Sequence, residues 1–139
     1  MDYGVTSIKV IYKKSLKTLK NKSKKIFRND LRRGYPSLKS LMERENMREK
    51  AIEKKLVQAV KAVGGIAPKF TSPSFDGMPD RIVLLPGGHM AFVEAKAPGE
   101  KPRPLQLARH RLLRGLGFRV YVLDDERQIG GILDEIRTT

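Results

Sequence analysis

The chain has 139 residues, room for one domain with a single core, and its 40% hydrophobic content is enough for a folded protein. It has no cysteine, which excludes a disulfide framework and a thiolate zinc site, and two histidines, His89 and His110, are too few for a histidine-rich metal site. A formal charge of +14 points to polyanionic partners, nucleic acid first among them. No run approaches the roughly 18 apolar residues of a membrane span, and the N-terminus lacks the apolar stretch and cleavage site of a secretory signal. A cytoplasmic, nucleic-acid-associated protein is the expectation.

The charge is uneven. Residues 1–46 hold 13 of the 29 Lys and Arg but only Asp2, Asp30, Glu43 and Glu45 among the acids, so +9 of the +14 lies there. Within them, Ser15 to Phe27 sets Leu16, Leu19, Ile26 and Phe27 among lysines, a loose match to a basic amphipathic helix, and Gly34-Tyr35-Pro36-Ser37 breaks it. The segment reads as a basic extension, helical or disordered, that contacts DNA. Met47 opens a stretch of compact-domain length, so residues 1–46 also read as lying upstream of the true start.

Arg48 to Val63 is predicted helical, with Ile52, Leu56, Ala59, Val60 and Val63 on one stripe, and Gly64-Gly65 stops it. Gly65 to Phe70 reads as a short edge strand, because Pro68 has no amide to donate. Thr71 to Asp76 is a polar loop.

Gly77 to Lys96, GMPDRIVLLPGGHMAFVEAK, reads as a strand, a tight turn and a second strand. Side chains alternate along a strand, so Glu94 and Lys96 share one face and Ala95 takes the other. Antiparallel pairing around residues 86–89 brings Asp80 to the end that holds residues 94–96. Two carboxylates then converge beside an ammonium. That arrangement suits a hard divalent cation, with Asp80, Glu94 and the Ala95 carbonyl as oxygen ligands. Lys96 is placed to offset negative charge at a scissile phosphate. Each fragment also has a plain reading, since an acid-x-lysine is an ordinary solvated pair and Pro-Asp an ordinary turn. Their conjunction on one hairpin carries the functional reading.

Ala97 to Arg103 is a Pro-rich loop, and Pro104 fits the first position of a helix. Leu105, Ala108, Leu112 and Leu116 mark its expected buried stripe, with Gln106, Arg109 and His110 on another face. Lys101, Arg103 and Arg109 are candidates to line the approach of a nucleic acid, or are solvated charges. His110 reads as a surface residue. Phe118 to Leu123 is a buried strand, and strand, helix, strand implies a parallel crossover. Asp124-Asp125 starts a closing helix that carries Ile129, Ile132, Leu133 and Ile136.

The pattern Pro79-Asp80 … Glu94-Ala95-Lys96 resembles the PD-(D/E)xK nucleases. The fuller strings GMPDR and FVEAKAPGEKP, with Gln106 in the next helix, are similar to the VRR-NUC branch of that superfamily over roughly Met47 to Asp124. The resemblance implies an α/β restriction-endonuclease-like core in the order αβββαβα, a mixed central sheet with helices on both faces. It implies a Mg²⁺- or Mn²⁺-dependent DNA endonuclease that leaves 5′-phosphate and 3′-hydroxyl ends. Stand-alone members resemble structure-specific enzymes that act as symmetric dimers, so branched or junction DNA and a homodimer are expected. Gln106 matches the family's helix glutamine, which orients a ligand, the nucleophilic water or a phosphate. Lys69 matches a basic residue ahead of the GxPD turn, and is equally an ordinary edge-strand lysine. Glu53 matches a first-helix glutamate that can reach the metal, while spacing alone makes it a surface glutamate near Lys50. Two rivals stand beside the enzyme: a non-catalytic nucleic-acid-binding module on the same fold, and a basic protein held to anionic membranes through residues 5–30.

Overall fold

The computed structural model describes residues 36–138. Contacts divide the chain into Met1–Leu41 and Met42–Thr139; the sheet and the helices packed on it belong to the second unit, and the first helix begins within the first. The expected basic extension lies outside the described residues up to position 35.

Helix α1 runs Leu38–Ala62, beginning well before the expected Arg48. Ser37 caps it, its hydroxyl accepting from the Ser40 amide at 3.1 Å. The added turns contribute no buried residue, Leu38 and Leu41 being half-buried and Met42 and Met47 exposed, so the core-facing stripe does not extend into them. From Ile52 the stripe of Ile52, Leu56 and Val60 is buried as its spacing requires.

Strands β1 (Arg81–Leu85) and β2 (His89–Ala95) form the expected hairpin. Leu85 pairs with His89 across Pro86-Gly87-Gly88, and both glycines take positive φ, 87° and 81°. A tight reversal here needs that backbone, which other residues adopt only with strain. Strand β3 (Val120–Leu123) lies parallel to β2, giving a mixed sheet in the order β1-β2-β3. The expected strand over Gly65–Phe70 is reduced to two isolated bridges, Ile66 to Leu84 and Lys69 to Arg81. Pro68 sits between them, and its carbonyl still accepts from Ile82 while its nitrogen can donate nothing.

Helix α2 spans Pro104–Gly115, with the proline in its first turn as expected, and α3 spans Ile129–Arg137 behind a 3-10 turn at Glu126–Gln128. Asp125 caps that turn, accepting from the Arg127 amide at 2.9 Å. The β2–α2–β3 unit is the parallel crossover the sequence implied.

The pleat sorts the core into two layers. Val83, Leu85, Ala91, Val93 and Leu123 pack with α1 and α3. Phe92 and Val120 pack with Leu113 of α2, flanked by Phe70, Met78, Ile82 and Met90. Helices therefore cover both faces, as expected. The face of α2 turned to the sheet is not the expected leucine stripe, however. Gln106, His110 and Leu113 are buried, whereas Leu105, Leu112 and Leu116 are exposed. The reason is the partner surface: β2 presents Glu94, a buried carboxyl, on this side, and α2 meets it with the side-chain amide of Gln106. Among the described residues no helix is long and apolar enough to cross a membrane.

Candidate active site

The site lies where the hairpin meets α2. Arg81 pairs with Val93, so one step further along the ladder Asp80 falls opposite Glu94. Residues directly opposite in an antiparallel pair project to the same face. Met90, Phe92 and Glu94 alternate onto the α2 side of β2, and Lys96 continues that series just past the strand end.

Asp80 is fixed by the backbone. Its Oδ2 accepts from the Ala95 amide at 3.2 Å, which ties the loop behind Pro79 to the end of β2. Glu94 is fully buried. Its Oε1 takes Lys96 Nζ at 2.6 Å and the side-chain amide of Gln106. Gln106 can present that amide only one way, because its Oε1 already accepts from the Arg103 backbone amide at 2.9 Å. The helix cap thus sets the orientation of the group that holds Glu94.

The second oxygen of Glu94 has a different setting. Among the described residues Oε2 has no hydrogen-bond partner, and neither does either ring nitrogen of His110, whose Nε2 stands 3.7 Å away. His110 was expected on the surface, yet it is fully buried one turn beyond Gln106. Burial, with Arg114 and Lys96 nearby, lowers its pKa, so the ring is neutral near pH 7 and one nitrogen carries a proton.

Burial also dominates the acids. Glu94 is pushed up to about 7 by desolvation, with Lys96 opposing and the Asp80 charge adding to the rise. Asp80 is raised by burial against the pull of Lys96 and the Ala95 amide. Two carboxylates are held together at a cost that a nearby cation would relieve. Hard oxygen donors, a buried carboxylate oxygen without a donor, and crowded negative charge fit a small divalent ion. The oxygens grouped here are those of Asp80, Glu94 and the adjoining Ala95 peptide, the set expected from the sequence. Among the described residues no group of three or more His, Cys, Asp or Glu side chains is placed to hold a metal ion.

The remaining sequence candidates divide. Glu53 raises the pKa of Asp80, but its carboxylate is engaged elsewhere. Oε1 accepts from Arg81 Nε at 3.0 Å and Oε2 lies 3.8 Å from Lys69 Nζ. Lys101 and Arg103 are exposed beside the cap of α2. Arg109 is drawn onto the loop, its guanidinium 3.8 Å above the Phe75 ring and its Nε bonded to the Asp76 carbonyl. Sequence reasoning missed Glu49, a half-buried acid whose charge acts on Glu94 and whose pKa burial raises. Its spacing, one turn before Glu53 on the same face, was the available signal. For His110 the signal was Gln106 at i−4.

No family model matches the sequence. The chain is similar to a protein of Acyrthosiphon pisum secondary endosymbiont phage 1 named "Putative nuclease p44", 56% identical over 80 residues, which span 58% of this chain and 86% of that protein. It is also similar to a solved structure described as a VRR_NUC domain. That match has 32% identity and a TM-score of 0.59, and covers 63% of this chain and 95% of the other.

Proposed function

The chain belongs to the VRR-NUC family of nucleases, and on that premise we propose that it is a Mg²⁺- or Mn²⁺-dependent endonuclease acting on DNA, branched or junction DNA in particular. The observation that carries the reading is the buried Glu94 carboxylate, opposite Asp80 in register, gripped on one oxygen by Lys96 and Gln106 and left without a donor on the other. Asp80 and Glu94 would hold the ion, with the Ala95 carbonyl as a third oxygen. When bound, a divalent cation lowers the pKa of water and polarises phosphoryl oxygens.

The protein's own groups do the rest. Lys96, held against Glu94, stabilises the negative charge that builds on the phosphoryl oxygens in the transition state. Gln106 keeps the Glu94 carboxylate in one orientation, so that little rearrangement is needed during reaction. Its place in the first turn of α2 also puts free backbone amides near an incoming phosphate. Lys69, Lys101 and Arg103 are exposed cations suited to the flanking phosphates, and their contribution would weaken with salt. Two such sites in a homodimer would cut both strands.

The test is digestion of duplex, flap, splayed and four-way DNA with Mg²⁺ or Mn²⁺, using wild type, Asp80→Asn and Lys96→Ala. Wild type should cut and both variants should lose at least about 100-fold in rate, typical for removal of one preorganised transition-state group. If wild type binds every substrate but cuts none with either metal, the chain is a binding module on a nuclease fold.

A further inference from the structure

Phe75 is an apolar ring at the surface of the loop that leads to Asp80. It is 40% exposed and belongs to neither core cluster. The ring is nevertheless fixed. The Arg109 guanidinium covers one face at 3.8 Å, and the same guanidinium is anchored to the Asp76 carbonyl at 2.9 Å. The Phe75 amide closes a turn onto Ser72 O at 3.2 Å. Two residues on, Gly77 lies so close to α2 that a Cβ there would stand 2.8 Å from Leu105 Cγ.

The placement bears on the site. Arg109 is three residues beyond Gln106 on α2, about 4.5 Å along the helix axis, and Gln106 bonds to Glu94. Phe75 is five residues before Asp80 in the same loop. The segment that carries Arg109 is cationic: residues 101–114 hold Lys101, Arg103, Arg109, Arg111 and Arg114 with no acid among them, although Arg114 itself turns to the Val120 carbonyl. A rigid aromatic ring backed by a guanidinium, beside a phosphate-binding centre, is the arrangement on which unpaired bases stack.

We propose that Phe75, backed by Arg109, is a stacking platform for an unpaired nucleobase next to the phosphate being cut. The proposal rests on the DNA reading above and sharpens it: duplex bases are already stacked, whereas a base at a branch or single-stranded junction is free to leave the helix. A second copy of the chain is the other occupant an exposed apolar patch could have. Charge favours nucleic acid, because a copy would bring its own basic surface against Arg109, while DNA brings phosphates.

The test uses splayed and fully duplex DNA carrying 2-aminopurine at the branch position, bound by the full chain in a Lys96→Ala background so that nothing is cut. With splayed DNA, Phe75 should quench the fluorescence. Phe75→Ala should abolish quenching and weaken splayed-DNA binding about 10-fold, within the range for loss of one base stack, with a smaller effect on the duplex. Phe75→Trp should retain both, and unchanged circular dichroism guards against misfolding. Equal quenching by Phe75→Ala overturns the platform. So does equal weakening for duplex and splayed DNA, or a Phe75→Ala change that acts by splitting a dimer in sedimentation. Failure of wild type to hydrolyse any DNA would sink the enzymatic reading, while quenching would still decide the platform.

Discussion

His110 Nε2 and Glu94 Oε2 face each other 3.7 Å apart in the interior, and neither has another hydrogen-bond partner among the described residues. The separation is beyond a hydrogen bond, but a shift of under about 1 Å would make one. A neutral imidazole donating there would hold Glu94 from the side opposite Lys96 and Gln106. His110 is on this geometry a positioning residue. His110→Leu should lower cleavage about 10–100-fold and raise the metal concentration needed for half-maximal rate, as loss of a group that orients a ligand does. His110→Asn, which keeps a donor, should recover most of both. A leucine variant with wild-type rate and metal dependence would reduce His110 to a packing group.

The raised pKa of Glu94 makes stability depend on pH in a stated direction. The carboxyl titrates near 4.5 when unfolded and at about 7 in the fold. The folded state therefore binds the proton more tightly, and its advantage is lost as pH rises from about 4.5 through about 7. The loss is on the order of 3 kcal/mol. Asp80 and Glu49, also raised, add to it, while His110, lowered, works against it below its ordinary range near 6.5. Thermal melts in EDTA between pH 6.5 and 8 isolate the acids. Wild type should lose several degrees over that window and Glu94→Gln should change far less. Added Mg²⁺ at pH 8 should restore the wild-type melting temperature and leave Glu94→Gln nearly unmoved.

Much of this site could be read from the sequence because local rules determine it. Gly87-Gly88 fix the turn, the turn fixes the register, and the register puts Asp80 opposite Glu94. What could not be read is how α2 rotates against the sheet. Periodicity assumes that leucines face inward, and Leu105, Leu112 and Leu116 face out because the helix turns Gln106 to the buried Glu94 carboxyl on β2. His110, one turn beyond Gln106 on the same face, goes inside with it. Residues 38–47 of α1 escaped for a different reason, since they bury no side chain and so do not continue the stripe of Ile52, Leu56 and Val60.

Glu49 and Glu53, one turn apart, should respond oppositely to loss of charge. Glu53 accepts from Arg81 Nε, and Arg81 also donates to the Ala67 carbonyl at 2.7 Å, tying α1, β1 and the edge segment together. Glu53→Gln weakens that link and leaves a largely buried guanidinium poorly paired, a cost of about 1–3 kcal/mol. Glu49 is an ionised group kept half out of water beside other acids, so Glu49→Gln removes repulsion. In metal-free melts at pH 8, Glu53→Gln should fall below wild type and Glu49→Gln should rise above it. A fall in both would mean that Glu49 is held by the nearby cations, Lys96 foremost, more firmly than it is repelled.

Gly77 sets how the loop before Asp80 meets α2, and it tolerates no side chain for two separate reasons. Its φ of +84° is left-handed backbone, which costs a residue with a Cβ roughly 1–2 kcal/mol. The added Cβ would also lie 2.8 Å from Leu105 Cγ, 3.2 Å from the Leu105 carbonyl oxygen and 3.3 Å from Arg109 Cγ. Leu105 is exposed and can move, so backbone strain should dominate the stability loss. Gly77→Ala should lower the melting temperature by about 4–16 °C, at about 4–8 °C per kcal/mol for a domain of this size. Leu105→Ala removes the side-chain contact but neither the strain nor the approach to the Leu105 carbonyl, so in the double variant most of the loss should persist. Full recovery in Gly77→Ala/Leu105→Ala would show that contact with α2, and not the left-handed turn, is what demands glycine.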